Sequence, residues 1–270
     1  MFLAIDRGLS NVDFFLKDNN EEKFWVEDNA KFVNEHDLLR YIDSLTSSLP
    51  ISKVGLSGGK SKTILSDNSI WEYTSEIDAF CIGAKKIYGF ERGLVISCGT
   101  GTACAFADKG INSHLGGIAN GGGFIHAFHK HFLNYSNIKK IHQLAANGNA
   151  SNVDLLITEA VGNLGDLDPK LTAVNFGKLK DSNSYLDSDV SQAVMKMVGE
   201  SIGTVAALYA HILGVTDVYL TGRTAQYPSV RNGIDSILAT AKLSSVFIKE
   251  SAKANVIGVM ESLENYESNN

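Results

Sequence analysis

Residues 94–124 read LVISCGTGTACAFADKGINSHLGGIANGGGF. LVISC (94–98) has the apolar run of a buried strand, and ACAFAD (103–108) returns from it as a hairpin over the turn Gly99-Thr100-Gly101. Gly116 to Gly123 then forms a loop with five glycines in eight residues, and a helix is expected from about Phe124 to Leu133. Glycines admit positive φ and close approach of the backbone. Successive exposed N–H groups make an anion nest, to which a helix start near Gly122 adds its positive end. Thr100 and Thr102 offer hydroxyl donors. This chemistry suits a phosphate-bearing ligand; the other reading is a pair of tightly packed turns.

Upstream, FLAI (2–5), VDFFLK (12–17) and KFWVE (23–27) predict a β-meander, with Asp18-Asn19-Asn20 as a turn. Leu38, Leu39, Ile42 and Leu45 predict a helix over 35–48, KVGLS (53–57) a buried strand, and residues 76–88 a second helix. Downstream, residues 135–187 mix helices with polar loops such as Ser182-Asn183-Ser184. Residues 189–213 carry the longest helical pattern, from Val190 to Ile212, closed by Gly214 as a C-cap. DVYLTG (217–222), a helix over 229–241, SVFIK (245–249) and a helix over 251–264 complete the chain. The expected class is α/β: mixed sheets flanked by helices, in two lobes with a cleft between them. The division expected is 1–92 for the N-terminal lobe and 93–270 for a C-terminal lobe with a helical middle segment.

The chain has 270 residues with 24 basic and 30 acidic side chains, a net charge of −6. That balance argues against nucleic-acid binding, which needs a basic surface. No apolar run approaches the roughly 18 residues of a membrane span, so no membrane partner is expected. MFLAIDRG lacks a basic start and meets an Asp at position 6, unlike a signal peptide. Cys81, Cys98 and Cys104 lack CxxC spacing, which points to reduced thiols and a cytoplasmic location.

Three further motifs have competing readings. VGLSGGKS (54–61) approaches the phosphate-loop pattern, but Val54 stands where a glycine is needed. GLSGG within it matches a nucleophile elbow, for which only His211 lies late enough in the chain; a strand ending in a tight glycine turn explains both. Glu76 and Asp78 suit a helix start through the helix dipole, and either also suits a general base for a hydroxyl. In HAFHKHF only His126 and His129 share a helix face, with no acidic or thiol ligand nearby to complete a metal site.

The order of these pieces resembles one family, the type II or fumble-like pantothenate kinases of the actin/hexokinase/Hsp70-like ATPase superfamily. The likeness spans nearly the whole chain. AID (4–6) resembles the opening phosphate strand, GLSGG (55–59) a strand-to-glycine turn, and SEIDAFCIGA (75–84) the EFDA segment that carries the catalytic Glu, here Glu76. SCGTGTA (97–103) and GGIANGGGF (116–124) resemble the second phosphate loop and the nucleotide-contacting glycine loop. LTAVNFGKL (171–179) resembles a segment that precedes the C-terminal helices, and VYLTG (218–222) the adenosine-side strand and turn.

The resemblance implies a two-lobed actin-like ATPase (ribonuclease H-like) fold and ATP-dependent phosphorylation of pantothenate with Mg²⁺. It implies that Glu76 is the catalytic base and that Asp6 organises the metal. Gly8, Ser10, Gly99, Thr100, Gly101, Thr102, Gly121, Gly122, Gly123, Phe124 and Gly222 would contact nucleotide. Glu76, Thr100, His114 and Gly116 would contact the acceptor. It also implies a homodimer, through helix 189–213, and a CoA or acyl-CoA ligand. The family's first loop reads DxGGTxxK; this chain has Asp6-Arg7-Gly8-Leu9-Ser10-Asn11-Val12-Asp13, so a glycine is Leu9, the Thr is Ser10 and the Lys is Asp13. His114 stands where the family has a substrate-holding Arg. Two other readings stay open: a non-catalytic nucleotide- or CoA-binding relative, and a kinase for another small alcohol such as an amino sugar.

Overall fold

The computed structural model describes residues 1–18, 21–59, 61–63, 70–162, 168–181 and 184–268. In chain order the first elements are β1 Phe2–Arg7, β2 Asn11–Lys17, β3 Glu22–Asp28, α1 Glu35–Ser48, β4 Lys53–Ser57, β5 Trp71–Tyr73 and α2 Glu76–Tyr88. Then come β6 Arg92–Cys98, β7 Thr102–Asp108, β8 Ile111–Ile118, α3 Gly122–Phe132 and α4 Ile138–Ala146. The rest are β9 Leu155–Leu156, α5 Ile157–Val161, β10 Thr172–Val174, α6 Asp187–Leu213, β11 Asp217–Thr221, α7 Pro228–Thr240, β12 Ser244–Val246 and α8 Ala254–Ser268.

Two compact units emerge. The first comprises Met1–Val95, Ala105–His114 and Ile248–Asn270; the second comprises Ile96–Cys104 and Leu115–Phe247. Neither is continuous in sequence. The division expected after residue 92 therefore needs correction: the hairpin tip 105–114 and helix α8 belong with the first unit, because α8 packs on α2 and on β1.

The sheet of the first unit has the order β3-β2-β1-β4-β5. β1 pairs antiparallel with β2, from Phe2↔Lys17 to Arg7↔Val12, and parallel with β4, from Phe2↔Lys53 to Asp6↔Ser57. Side chains alternate across it. Leu3, Ile5, Val12, Phe14, Val54 and Leu56 form one buried face with Leu38 and Ile42 of α1. Ala4 lies on the other face, against Ala79 of α2 and Val256, Val259 and Met260 of α8. The two helices touch backbone to backbone: a Cβ on Gly83 would fall 1.8 Å from the Ala254 carbonyl oxygen. A capping box between Asn34 and Asp37 starts α1.

The second sheet has the order β12-β11-β6-β7-β8, and β9 pairs antiparallel with β10. The 27-residue α6 buries Val190, Val194, Val198, Ile202 and Ala206, and Gly214 caps it in the left-handed conformation expected. Leu208 and Ile212, read as part of the same stripe, stay exposed at 61% and 77%. Strand β8 was not expected: it runs through Gly116 and Gly117 to Ile118, so the glycine-rich loop is shorter than its composition suggests. Gly117 is there because β7 is close; a Cβ would sit 2.3 Å from the Thr102 carbonyl oxygen. Asn19, Asn20, Lys60, Ser182 and Asn183, read as turn or loop residues, lie outside the described residues.

Candidate functional site

In the first unit, register places three polar side chains in one row. Asp6 of β1 stands opposite Asp13 of β2 and opposite Ser57 of β4. Partners in register point to the same face, and here it is the face of Ala4 that α2 and α8 cover. Asp6 is 7% exposed, Asp13 5% and Ser57 0%. One Asp6 carboxylate oxygen lies 2.7 Å from where a Cβ on Gly58 would sit, and Gly58 has φ +82°. The glycine turn expected after β4 is thus real, and the Asp6 carboxylate needs it bare. Buried Ser57 does not suit a nucleophile elbow, and His211 spends its Nδ1 on the Ala207 carbonyl of its own helix.

The β1–β2 turn holds Gly8, Leu9 and Ser10, with Leu9 76% exposed. It is braced by Asn29, which donates from its side chain to the Leu9 carbonyl and from its N–H to the Ser10 carbonyl. Arg7 pairs with Val12 and therefore starts on the opposite face from Asp6.

Helix α2 separates its two acidic residues by role. Asp78 accepts from the Ser75 hydroxyl at 2.6 Å and from the Asn112 amide at 2.9 Å, while its N–H donates to Ser75 Oγ. Its carboxylate is committed to capping α2 and to tying it to β8. Glu76 is exposed, with no hydrogen-bond partner among the described residues. Of the two, only Glu76 is disposed to take a proton from a ligand. His114, also exposed, lies two residues beyond Asn112 on the same side of β8.

In the second unit the two glycine segments bind each other. The Gly99 N–H donates to Gly101, that of Gly122 to Gly99 and that of Gly123 to Thr100, each at 2.9 Å. The Thr102 hydroxyl donates to Asn120 at 2.8 Å and Thr224 to Gly99 at 2.8 Å. The expected nest is corrected accordingly: the N–H groups of Gly99, Gly122 and Gly123, and the Thr102 hydroxyl, hold the loops together and are not spare phosphate donors. Glycines 121–123 are needed for that contact. Cβ atoms would fall 2.6 Å from the Thr100 oxygen, 2.7 Å from Thr224 Oγ1 and 2.6 Å from Thr100 Cγ2, respectively.

Gly99 and Gly101 differ. A Cβ there would meet nothing closer than 3.6 Å and 3.7 Å, and neither has positive φ. The protein itself does not require glycine at these positions, which leaves room for a ligand to approach the backbone. Gly222, in contrast, has φ +84° and a Cβ position 2.3 Å from the Cys98 oxygen, so it serves the contact of β11 with β6. Gly116 has φ +128° beside the Tyr209 hydroxyl, which donates to Leu115 at 2.6 Å. Phe124 lies beside Phe128 along α3, ring centroids 6.0 Å apart with the planes tilted by 50°. His129 on that helix is buried between the Ile125 carbonyl and Ser191, both at 2.7 Å, while His126 and His131 are exposed; the three do not converge.

Sequence reasoning missed Thr224, 125 residues from its partner Gly99, and the polar cluster under 171–179. There, Asp154 accepts from the Phe176 N–H at 2.8 Å, and Lys196 donates to the Thr172 hydroxyl and to Glu200. Burial pushes the Asp154 carboxyl above its ordinary range, opposed by the Phe176 N–H and Lys196. This cluster holds Phe176 at φ +56°. No local pattern announces such contacts, because they join distant segments.

A protein-family model described as Fumble matches residues 65–247. Type II pantothenate kinase from Bacillus thuringiensis subsp. konkukian is 25% identical over 271 residues, covering 96% of each chain. The same enzyme from Staphylococcus saprophyticus is 32% identical over 123 residues, 43% of this chain. Among solved structures, the activator of the 2-hydroxyisocaproyl-CoA dehydratase from Clostridium difficile, with bound ADPNP, aligns with a TM-score of 0.63 at 14% identity over 99% of this chain and 97% of that one. A ROK family glucokinase from Streptomyces griseus, in complex with glucose and AMPPNP, gives 0.60 at 9% identity over 97% and 98%. The fold is therefore the actin-like ATPase fold.

Proposed function

The chain belongs to the Fumble family, and on that premise we propose that it transfers the terminal phosphoryl group of ATP to the primary hydroxyl of pantothenate. The observation that carries this reading is the first turn of α2, where Asp78 is consumed by Ser75 and Asn112 while Glu76 stays unengaged. In the reaction, Glu76 accepts the hydroxyl proton as the alcohol oxygen attacks the terminal phosphorus and ADP departs. A positioned base contributes about 10²–10⁴-fold to such a step; orientation and charge stabilisation supply most of the remainder.

Gly99 and Gly101 give the phosphates access to backbone, with Thr100 beside them. Gly8, Ser10, Phe124 and Gly222 would contribute further nucleotide contacts, and Gly121–Gly123 act by holding the 99–102 turn in place. Thr100, Gly116 and His114 would complete the acceptor side, His114 as a hydrogen-bond donor in place of a fixed cation. The oxygen donors of Asp6 and its in-register neighbours Asp13 and Ser57 suit a hard cation such as Mg²⁺. When bound, that ion offsets phosphate charge.

Three finer expectations accompany this reading. Exposed Leu208 and Ile212, one turn apart on α6, would pack against a second copy in a homodimer. CoA or an acyl-CoA would be a ligand as well as an end product. The three cysteines are all buried free thiols, in keeping with a cytoplasmic setting; among the described residues no helix is long and apolar enough to cross a membrane.

Coupled ATP turnover with pantothenate, for wild type and Glu76→Gln, tests the proposal; equal rates would remove Glu76 from the mechanism. The exchange of Lys for Asp13 favours a second reading, a relative that binds nucleotide or CoA without transfer, which calorimetry would show as tight binding with no turnover. A screen of alcohols, amino sugars included, decides the acceptor.

A further inference from the structure

We propose that Tyr209 is a positioning residue for the phosphate acceptor: its hydroxyl fixes the bend in β8 that aims His114, so its loss weakens acceptor binding and spares nucleotide binding. The role rests on the reading of His114 and Gly116 as acceptor contacts. β8 is an edge strand of its sheet, with β7 on one side only, so the other side of its backbone has no ladder partner. Gly116 has φ +128°, a conformation outside the pleat that favours glycine. Irregularities of this kind at a sheet edge re-aim neighbouring side chains.

Tyr209 meets that bend from a distant segment. Its hydroxyl donates to the Leu115 carbonyl at 2.6 Å, across 94 residues of sequence, and lies 3.0 Å from where a Cβ on Gly116 would sit. The bond to Leu115 and the bare Cα of Gly116 are therefore one contact. One residue on, Gly117 is pressed against β7, with a Cβ position 2.3 Å from the Thr102 oxygen. The bend is thus held by two elements, β7 and α6. α6 is a firm support there, because Ala206 and Ala210 on either side of Tyr209 are fully buried. His114 immediately precedes this clamp and is exposed. An arginine at that position would reach an anionic acceptor on a long stem with a fork of donors. A neutral histidine has a short side chain and one N–H to donate, so its aim depends on the backbone that carries it. The nucleotide turn does not share this dependence: residues 99–102 are held by Gly122, Gly123 and Thr224.

The test is calorimetry on the full chain with AMPPNP present, which reads pantothenate affinity without turnover. Tyr209→Phe, which removes only the hydroxyl, is expected to weaken pantothenate binding about three- to tenfold, the range for one hydrogen bond. AMPPNP affinity should stay within about twofold of wild type on the same grounds. His114→Ala should weaken pantothenate as well, and adding Tyr209→Phe to it should weaken it no further, because the two act as one unit. Tyr185→Phe, at an exposed tyrosine, should change neither affinity. Circular dichroism establishes that each variant is folded. Should Tyr209→Phe not fold, Gly116→Ala, which crowds the same hydroxyl, should give the same selective loss. Equal weakening of both ligands would mean general loosening and overturns the proposal. So do unchanged pantothenate affinity and strictly additive losses in the double variant. Pantothenate binding with no phosphotransfer in a turnover assay would overturn the phosphotransfer reading and leave this one standing; absence of pantothenate binding to wild type overturns both.

Discussion

The Thr100 carbonyl oxygen lies 2.6 Å from the position a Cβ on Gly121 would take, and the Gly99 oxygen lies 2.8 Å from it. Gly121 is therefore a packing glycine, whereas Gly101, with its nearest neighbour at 3.7 Å, is not. Gly121→Ala should cost about 1–3 kcal/mol of stability, the usual range for overpacking, and spoil nucleotide binding by displacing the 99–102 turn. Gly101→Ala should change stability by less than about 1 kcal/mol while weakening ATP binding about tenfold, or about 1.4 kcal/mol. Thermal melts and calorimetry on both variants separate the effects. Intact ATP binding in Gly101→Ala would show that phosphate does not approach this turn.

Glu76 and Asp78 should part company in the same way. Glu76→Gln is expected to lower kcat by about 10²-fold or more and leave the melting temperature near wild type, since Glu76 supports no other group. Asp78→Asn should cost about 1 kcal/mol through the weakened cap, with loosening of the Asn112 tie to β8. Its activity should fall less than that of Glu76→Gln. The reverse ranking would make Asp78 the base.

Much of this was legible from residue patterns, and the parts that were not share a cause. β1, β2 and β4 announce themselves because buried and exposed positions alternate or run apolar, and α1, α2 and α6 because apolar residues recur every three to four positions. β8 was hidden because Gly116 and Gly117 have loop composition, while Gly117 is in fact required by its distance from Thr102. The Asp6–Asp13 pair was seen as a change of charge but not as a pair, because opposition depends on the register of the Gly8–Asn11 turn. The glycine segments were read as an open nest; carbonyls of Gly99 and Thr100, distant in sequence from Gly122 and Gly123, had already claimed those N–H groups.

The α2–α8 contact predicts where the first unit is least tolerant. A Cβ on Gly83 would fall 1.8 Å from the Ala254 oxygen, and one on Gly258 would fall 1.8 Å from the Ala79 oxygen. Both neighbours are backbone, so relief requires moving a helix. Gly83→Ala should cost at least about 3 kcal/mol, the upper end for an inserted methyl, and show as loss of soluble protein or a large drop in melting temperature. Gly99→Ala is a suitable stability reference, since a Cβ there would meet nothing closer than 3.6 Å. Equal stability of the two variants would mean that α2 and α8 do not touch in this way.

His129 gives the second unit a defined response to acid. Burial holds its pKa below the ordinary 6.5, with the Ile125 carbonyl opposing that effect and His126 adding to it. The ring bridges Ile125 and Ser191 and so ties α3, which begins at Gly122, to α6; it is burial that makes charging this ring costly. Below pH about 6.5 the unfolded chain takes up a proton that the folded ring resists. The unfolded state then binds more protons, and stability falls as pH drops from that value toward the lower folded pKa, flattening beneath it. His142, lowered chiefly by burial, acts in the same direction. For one such group the slope is at most about 1.4 kcal/mol per pH unit. His129→Gln should therefore be less stable than wild type at pH 8, where the Ile125 and Ser191 contacts are lost, yet decline less steeply between pH 7 and pH 5. Urea unfolding at a series of pH values reads both quantities. Parallel curves for the two proteins would assign the acid sensitivity to another group.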